Sequence, residues 1–251
     1  MFIDTHCHLD CAPLYTRRHE VIEQAQAVGV EQIITIGMDL QSSRTAIEIA
    51  DEFATVFAAV GIHPTEVNHC QIEWQEQLIE LTKHPKVKAI GEIGLDYYWQ
   101  TTDPAEQQRF LHAQIEIAKK VKLPIILHNR RADSDIKSVL VEHGYYQGVL
   151  HCYSSDEYFA KEMLDLGMHI SFTGSITYGS KRLQQALSIV PINRLMLETD
   201  APYITPEPCK KNTNEPKYIP LIAAKIAEIK NLPLKEIEEG TTQTARKFFN
   251  I

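Results

Sequence analysis

Met1-Phe-Ile-Asp-Thr-His6-Cys-His8-Leu-Asp10 opens the chain as an apolar-led strand, Phe2–His6, running into a turn built from His-Cys-His-Leu-Asp. Beyond it, short apolar runs alternate with amphipathic stretches almost to the last residue, the pattern of parallel βαβ units. Two folds carry that alternation. An open doubly wound sheet usually places a glycine-rich phosphate turn after its first strand, and here two histidines hold that place instead. The reading is an α/β fold, a (β/α)8 TIM barrel, as a single domain over 1–251.

The strands predicted after the first are Gln32–Ile36, Val56–Ile62, Val87–Ile93, Pro124–Leu127, Gly148–His151, His169–Phe172 and Arg194–Glu198. Helices are predicted at Arg18–Ala27, Ser42–Phe53, Glu73–Lys83, Ala105–Val121, Ser134–Glu142, Ser155–Leu166, Lys181–Ile189 and Lys217–Lys230. Leu234–Phe249 follows Pro233 as an additional terminal helix, with Gly240 weakening its middle. No low-complexity segment or Gly/Ser linker marks a boundary. The longest irregular stretch, Thr199–Pro216, holds four prolines, and a loop of that length is more often functional than decorative.

The 251 residues are 44% hydrophobic and 23% charged, an ordinary composition for a soluble chain with a large core. With 25 basic and 33 acidic side chains the net charge is −8, which excludes broad nonspecific wrapping of duplex nucleic acid. A small phosphate-bearing substrate drawn to a local metal site stays compatible with that charge. Five cysteines, an odd number without a CxxC pair, point to reduced thiols and a cytoplasmic location. No signal peptide is visible, and no apolar run reaches the length that spans a bilayer. A monomer without an obligate protein partner or membrane association is expected.

His6 and His8 stand two apart at a strand end, so both imidazoles face one side and can reach one ion. HxH alone is a weak signal. Four other residues strengthen it. Glu92 lies inside the apolar run Ala-Ile-Gly-Glu-Ile-Gly-Leu, a costly place for an unpaired carboxylate. His128 follows Pro-Ile-Ile-Leu, His151 follows Gly-Val-Leu, and Asp200 follows Leu-Met-Leu-Glu-Thr. Each sits in or just past an apolar strand, and barrel closure brings C-terminal strand ends to one rim. His6, His8, Glu92, His128, His151 and Asp200 thus form one candidate metal cluster.

These residues, with Gly-Ile-His63-Pro, Gly91-Glu92-Ile-Gly-Leu-Asp96-Tyr-Tyr, His128-Asn-Arg130, His151-Cys-Tyr-Ser and Glu198-Thr-Asp200-Ala-Pro-Tyr203, resemble the TatD-related metal-dependent hydrolases of the amidohydrolase-like barrels. The resemblance covers nearly the whole chain. It implies a (β/α)8 barrel, a divalent-metal site and, in several members, deoxyribonuclease activity. It also implies that His6, His8, Glu92 and Asp200 hold one metal, while Glu92, His128 and His151 hold a second with Glu92 bridging. The segment before Asn214-Glu215-Pro216 departs from the family: Lys210 and Lys211 keep positive charge, but the fork of an arginine is absent.

The expected cofactor is two divalent metal ions per chain. Four histidines and two carboxylates favour zinc or manganese, and magnesium is also allowed. Asp200 is the candidate base orienting the attacking water, and Glu92 the catalytic bridge. Arg130 is the best-placed cation for a phosphate, with Lys210 and Lys211 behind it, and His63 is either a contact to substrate or a metal-bound water or a hydrogen-bond partner behind the ligands. Tyr153, Phe172 and Tyr203 are either stacking or packing aromatics. Asp96 is expected to orient its loop or a ligand histidine, and Asp4 to do the same or pair inside the barrel. His19, His69, His84, His112 and His143 read as solvent-facing, His169 as structural at the far end of the barrel, and Cys7 and Cys152 as pointing away from the site. The expected function is a metal-dependent phosphodiesterase or deoxyribonuclease of exonuclease type on nucleic-acid ends or a small phosphodiester. The alternative is hydrolysis of an amide, ester or lactone by the same activated water; a metal-stabilised barrel without catalysis is the third reading.

Overall fold

The computed structural model describes residues 1–70, 72–99 and 101–251. Eight parallel strands pair in sequence order: β1 (Phe2–Cys7), β2 (Val30–Ile36), β3 (Val56–Val60), β4 (Val87–Asp96), β5 (Ile125–Arg130), β6 (Gly148–Leu150), β7 (His169–Phe172) and β8 (Leu195–Leu197). The helices are α1 (Ala12–Tyr15), α2 (Arg18–Ala27), α3 (Leu40–Glu52), α4 (Trp74–Leu81), α5 (Pro104–Val121), α6 (Asp133–His143), α7 (Glu157–Asp165), α8 (Lys181–Ile189), α9 (Ile219–Lys230) and α10 (Leu234–Phe249). The eight expected units are present. The short α1, just after the double-histidine turn, was not foreseen.

The ends of the sheet meet through the segment after β8. Asp200 N–H donates to the His6 carbonyl at 2.9 Å, and His8 N–H donates to the Ala201 carbonyl at 2.8 Å. Lower down, the Thr5 hydroxyl donates to the Leu197 carbonyl at 3.0 Å. These bonds bring β1 and β8 together and set Asp200 beside both histidines. β8 is shorter than expected, ending at Leu197, so Glu198 and Asp200 lie in the closing turn rather than on a strand. Asp200 and Cys152 both take left-handed backbone, at φ 57° and 45°, where the chain must turn sharply at the rim.

The core has two shells. Outside the barrel, residues such as Ile49, Phe110, Leu140 and Ile222 pack helices against the sheet. Inside, Ile3, Ile34, Ile36, Ile126, Val149 and Met196 fill the barrel, and Phe248 and Phe249 of α10 close its N-terminal end. Gly240 is less a weakness in α10 than a packing device, since a Cβ there would fall 2.1 Å from Ile192 Cγ2. With the N-terminal end plugged by apolar side chains, polar groups gather at the other mouth.

Caps seat the helices that frame that mouth. Asp39 accepts from Ser42 N–H at 2.7 Å, while the Ser42 hydroxyl accepts from Asp39 N–H at 2.9 Å, a capping box starting α3. Asp156 accepts from Phe159 N–H at 2.9 Å to start α7, and Ser180 caps α8.

Candidate metal centre

Glu92 sits mid-way along β4, buried, at the centre of five imidazoles. Its Oε1 lies 2.7 Å from His151 Nε2, 2.8 Å from His128 Nδ1 and 3.4 Å from His63 Nε2. Its Oε2 lies 3.2 Å from His6 Nε2 and 3.7 Å from His8 Nε2. Asp200 Oδ1 joins that second side, 3.4 Å from His8 Nε2 and 3.7 Å from His6 Nε2. One carboxylate therefore turns an oxygen to each of two donor sets. Backbone economy makes this possible: a Cβ at Gly94 would fall 1.9 Å from the His128 carbonyl, so glycine lets β4 and β5 close around Glu92 and His128.

The electrostatics follow from this crowding. Burial would push Glu92 upward, but His151, His63 and His6, with the His128 hydrogen bond, hold it well below the ordinary carboxylate range. Burial raises Asp200 as well, yet the hydrogen bond from His8 and the charges of His6 and His151 leave it lowered. His8, conversely, is drawn up to about 8 despite its burial, by Asp200 first and Glu92 next. Within the cluster His8, His128 and His151 are raised by the neighbouring carboxylates, whereas burial lowers His6 and His63.

That arrangement fits divalent cations. His6 Nε2 and His8 Nε2 face each other at 3.3 Å, and the buried Nδ1 atoms of His6 and His151 have no hydrogen-bond partner among the described residues. Three triads, His6–His8–Glu92, His63–Glu92–His128 and His6–His151–Asp200, bring ligand atoms within 4.8 Å of one another. All six residues read from the sequence as metal ligands are in this cluster. His63 joins them and also lines the cavity above: it is buried beside Glu92 and His128, its Nδ1 2.7 Å from the Thr65 hydroxyl.

Three carboxylates around the cluster act by holding its members. Asp96 Oδ2 lies 2.9 Å from His128 Nε2, and its Oδ1 accepts from the backbone N–H of Tyr98 and of Trp99, both at 2.9 Å. Asp4 accepts from Thr199 N–H at 2.9 Å and from the Thr199 hydroxyl at 2.5 Å, tying β1 to the turn that carries Asp200. Burial pushes Asp4 up to about 8 in spite of those bonds. Glu198, to which no role was given from the sequence, accepts from Cys152 N–H and, at 2.6 Å, from the Ser171 hydroxyl, with His151 Nδ1 3.7 Å away. It could have been found by the reasoning that found His128 and His151, as a polar residue directly following an apolar strand.

Above the cluster opens a cavity of about 550 Å³. Arg130 and Tyr203 line it, and so do Trp99 and Arg182, which the sequence did not single out. Cys152 lines it too, against expectation: β6 ends at Leu150, so strand alternation no longer governs residue 152. Lys210 and Lys211 are not in its wall. Lys210 lies 4.1 Å over the Tyr178 ring and 3.5 Å from Glu207, and Lys211 is exposed. Tyr153 and Phe172 are buried packing residues. His112 and His143 are not free in solvent but bonded together at 2.8 Å, with His143 on Glu116 at 2.7 Å, pinning α5 to α6. The loop after β8 is pinned by buried Asn214, whose side-chain amide donates to the Thr199 carbonyl at 2.8 Å.

A parallel eight-stranded barrel with a two-sided histidine–carboxylate centre at its mouth defines a metal-dependent hydrolase. The chain belongs to the TatD-related DNase family, whose model matches residues 3–250. It is 37% identical over 254 residues to a metal-dependent hydrolase of Bacillus subtilis, YabD, with 100% of both chains covered. It is 34% identical to the metal-dependent hydrolase TatD of Mycobacterium tuberculosis, covering 99% of this chain and 98% of that protein. The crystal structure of YjjV, a TatD homologue from Escherichia coli, superposes with a TM-score of 0.95 at 30% identity, covering 100% of this chain and 98% of that one. Among the described residues, no helix is long and apolar enough to cross a membrane.

Proposed function

We propose that the chain, as one barrel domain in the cytoplasm, is a phosphodiesterase acting on nucleic-acid ends, a deoxyribonuclease of exonuclease type. The observation that carries this reading is the division of Glu92, one oxygen toward His151, His128 and His63 and the other toward His6 and His8. His6, His8, Glu92 and Asp200 would hold one cation; Glu92, His128 and His151, joined by His63, would hold the other. Nitrogen-rich donor sets favour zinc or manganese, with magnesium allowed. Divalent ions bound there acidify a water and neutralise charge on phosphate oxygens.

The chain's own residues do the rest. Asp200, held ionised by His8, lines the cavity and takes a proton from the attacking water at its carboxylate. The same carboxyl then returns that proton to the leaving oxygen. Arg130 and Arg182 line the cavity with no carboxylate partner among the described residues, so their guanidinium N–H groups are open to nonbridging phosphate oxygens. Two unpaired arginines on the wall favour a phosphodiester over an uncharged amide, ester or lactone.

The test is turnover by the metal-reconstituted protein on 5′- and 3′-labelled single-stranded DNA beside a panel of uncharged esters and lactones. Cleavage of DNA from one end is expected, and Asp200→Asn should keep its metal while losing nearly all activity. Turnover of the panel with DNA untouched would establish the uncharged-substrate reading instead. Full activity in Asp200→Asn would remove Asp200 from the chemistry.

A further inference from the structure

Trp99 exposes 52% of its surface at the wall of the cavity, whereas the other tryptophan, Trp74, exposes 4% and stacks on Phe110 at 4.5 Å. An indole left in water is costly unless it has a use. This one is not loosely attached. Asp96 Oδ1 holds the backbone N–H of both Tyr98 and Trp99, while Oδ2 of the same carboxyl meets His128. The carboxylate that steadies a ligand of the metal centre thus also fixes where the indole stands.

The neighbours of Trp99 are cations turned toward aromatic faces. Arg130 lies 4.2 Å from the Tyr98 ring centre and 5.5 Å from that of Trp99, and Arg131 lies 4.7 Å from Tyr98. Tyr98 and Trp99 meet edge to face at 4.9 Å. Tyr98 is therefore engaged by two guanidinium groups, and Trp99 is the more exposed ring of the pair. Arg182, from the first turn of α8, lines the same cavity. Exposed aromatic faces beside unpaired cations are how proteins hold unstacked bases while gripping the backbone.

We propose that Trp99 is the seat of a nucleobase subsite: one unpaired base at the substrate's end stacks on the indole while Arg130 and Arg182 take the adjoining phosphates. The proposal rests on the phosphodiesterase reading and adds to it the group that distinguishes a nucleotide from any other phosphodiester. A base inside a duplex is already stacked on its neighbours, so the subsite selects ends that are single-stranded or frayed. The net charge of −8 agrees, because duplex flanks find little attraction beyond the mouth.

Tryptophan emission reads this directly in the full-length protein, titrated with a thymidine tetranucleotide carrying nuclease-resistant phosphorothioate linkages. The control is a tetramer of the same backbone without bases. Saturable quenching by the thymidine tetramer is expected, with little by the abasic one. Trp99→Phe should abolish the quenching, since Trp74 is buried, and retain most of the affinity measured by a labelled tetramer. Trp99→Ala should weaken the thymidine tetramer by roughly five- to a hundred-fold, to the level of the abasic one, whose affinity stays unchanged. Equal binding of both tetramers by the wild type, with DNA cleavage intact, would remove the subsite and leave the phosphodiesterase reading standing. Equal losses for both tetramers in Trp99→Ala, unrescued by Trp99→Phe, would make Trp99 a packing residue. Binding of neither tetramer by a wild type that hydrolyses uncharged esters would remove both readings.

Discussion

Asp96 and His128 meet carboxylate to imidazole, with Oδ2 2.9 Å from Nε2, across the junction of β4 and β5. Burial alone would strip the proton from His128, but Asp96 and then Glu92 reverse that and raise its pKa. A carboxylate behind a ligand imidazole fixes its ring orientation and strengthens it as a donor. Asp96→Ala is therefore expected to weaken metal binding by roughly 10- to 100-fold without unfolding the barrel. Chelator competition with zinc or manganese measures this, and an unchanged affinity would confine Asp96 to shaping the loop that carries Trp99.

Arg130 and Arg182 reach the cavity from two different elements, β5 and α8. A charge-assisted hydrogen bond to phosphate contributes about 1.5–3 kcal/mol. Each alanine variant should therefore lose roughly ten- to a hundred-fold in kcat/KM on a phosphodiester, mostly through KM, with little change on an uncharged ester. Arg130→Ala should also loosen its Tyr98 stack, so its loss is expected to be the larger. Equal losses on both substrate types would mark the arginines as structural.

How much of this was legible follows from what each residue depends on. His6, His8, Glu92, His128, His151 and Asp200 could be gathered from the sequence because strand periodicity and barrel closure dictate where strand ends meet. Residues placed by turns were harder. Cys152 was expected to point away, but its left-handed backbone after a three-residue strand sets it in the cavity wall. Lys210 and Lys211 carried the right charge, yet the loop holds Lys210 over Tyr178, away from the site. His63 stood open between a substrate contact and a hydrogen bond behind the ligands because nothing in the sequence tells how deep the turn after β3 lies relative to Glu92. Arg182 and Trp99 belong to no periodic pattern; only folding brings the start of α8 and the loop after β4 to one rim.

The far end of the barrel supplies a pH dependence independent of the metal centre. His169 packs edge-on against Phe248, and burial, with Arg194 and Lys247 nearby, pushes its pKa down to about 4. The unfolded chain takes up that proton at an ordinary histidine pKa. The neutral imidazole thus contributes stability that is fully present above about pH 6.5 and is lost as pH falls toward 4. After allowance for partial solvent screening the loss is on the order of 1–2 kcal/mol. In urea unfolding at pH 7 and pH 5, His169→Gln should show a smaller acid-induced drop than the wild type. Identical drops would assign the pH dependence to other groups.

Two cations, one on each oxygen of Glu92, are what the whole chemical reading requires, and anomalous diffraction from crystals grown with manganese or zinc locates them directly. The expected result is two peaks about 3.5–4 Å apart, one among His6, His8 and Asp200 and the other among His63, His128 and His151. A map with no peak against Glu92, in crystals that hold the same metal elsewhere, would contradict it.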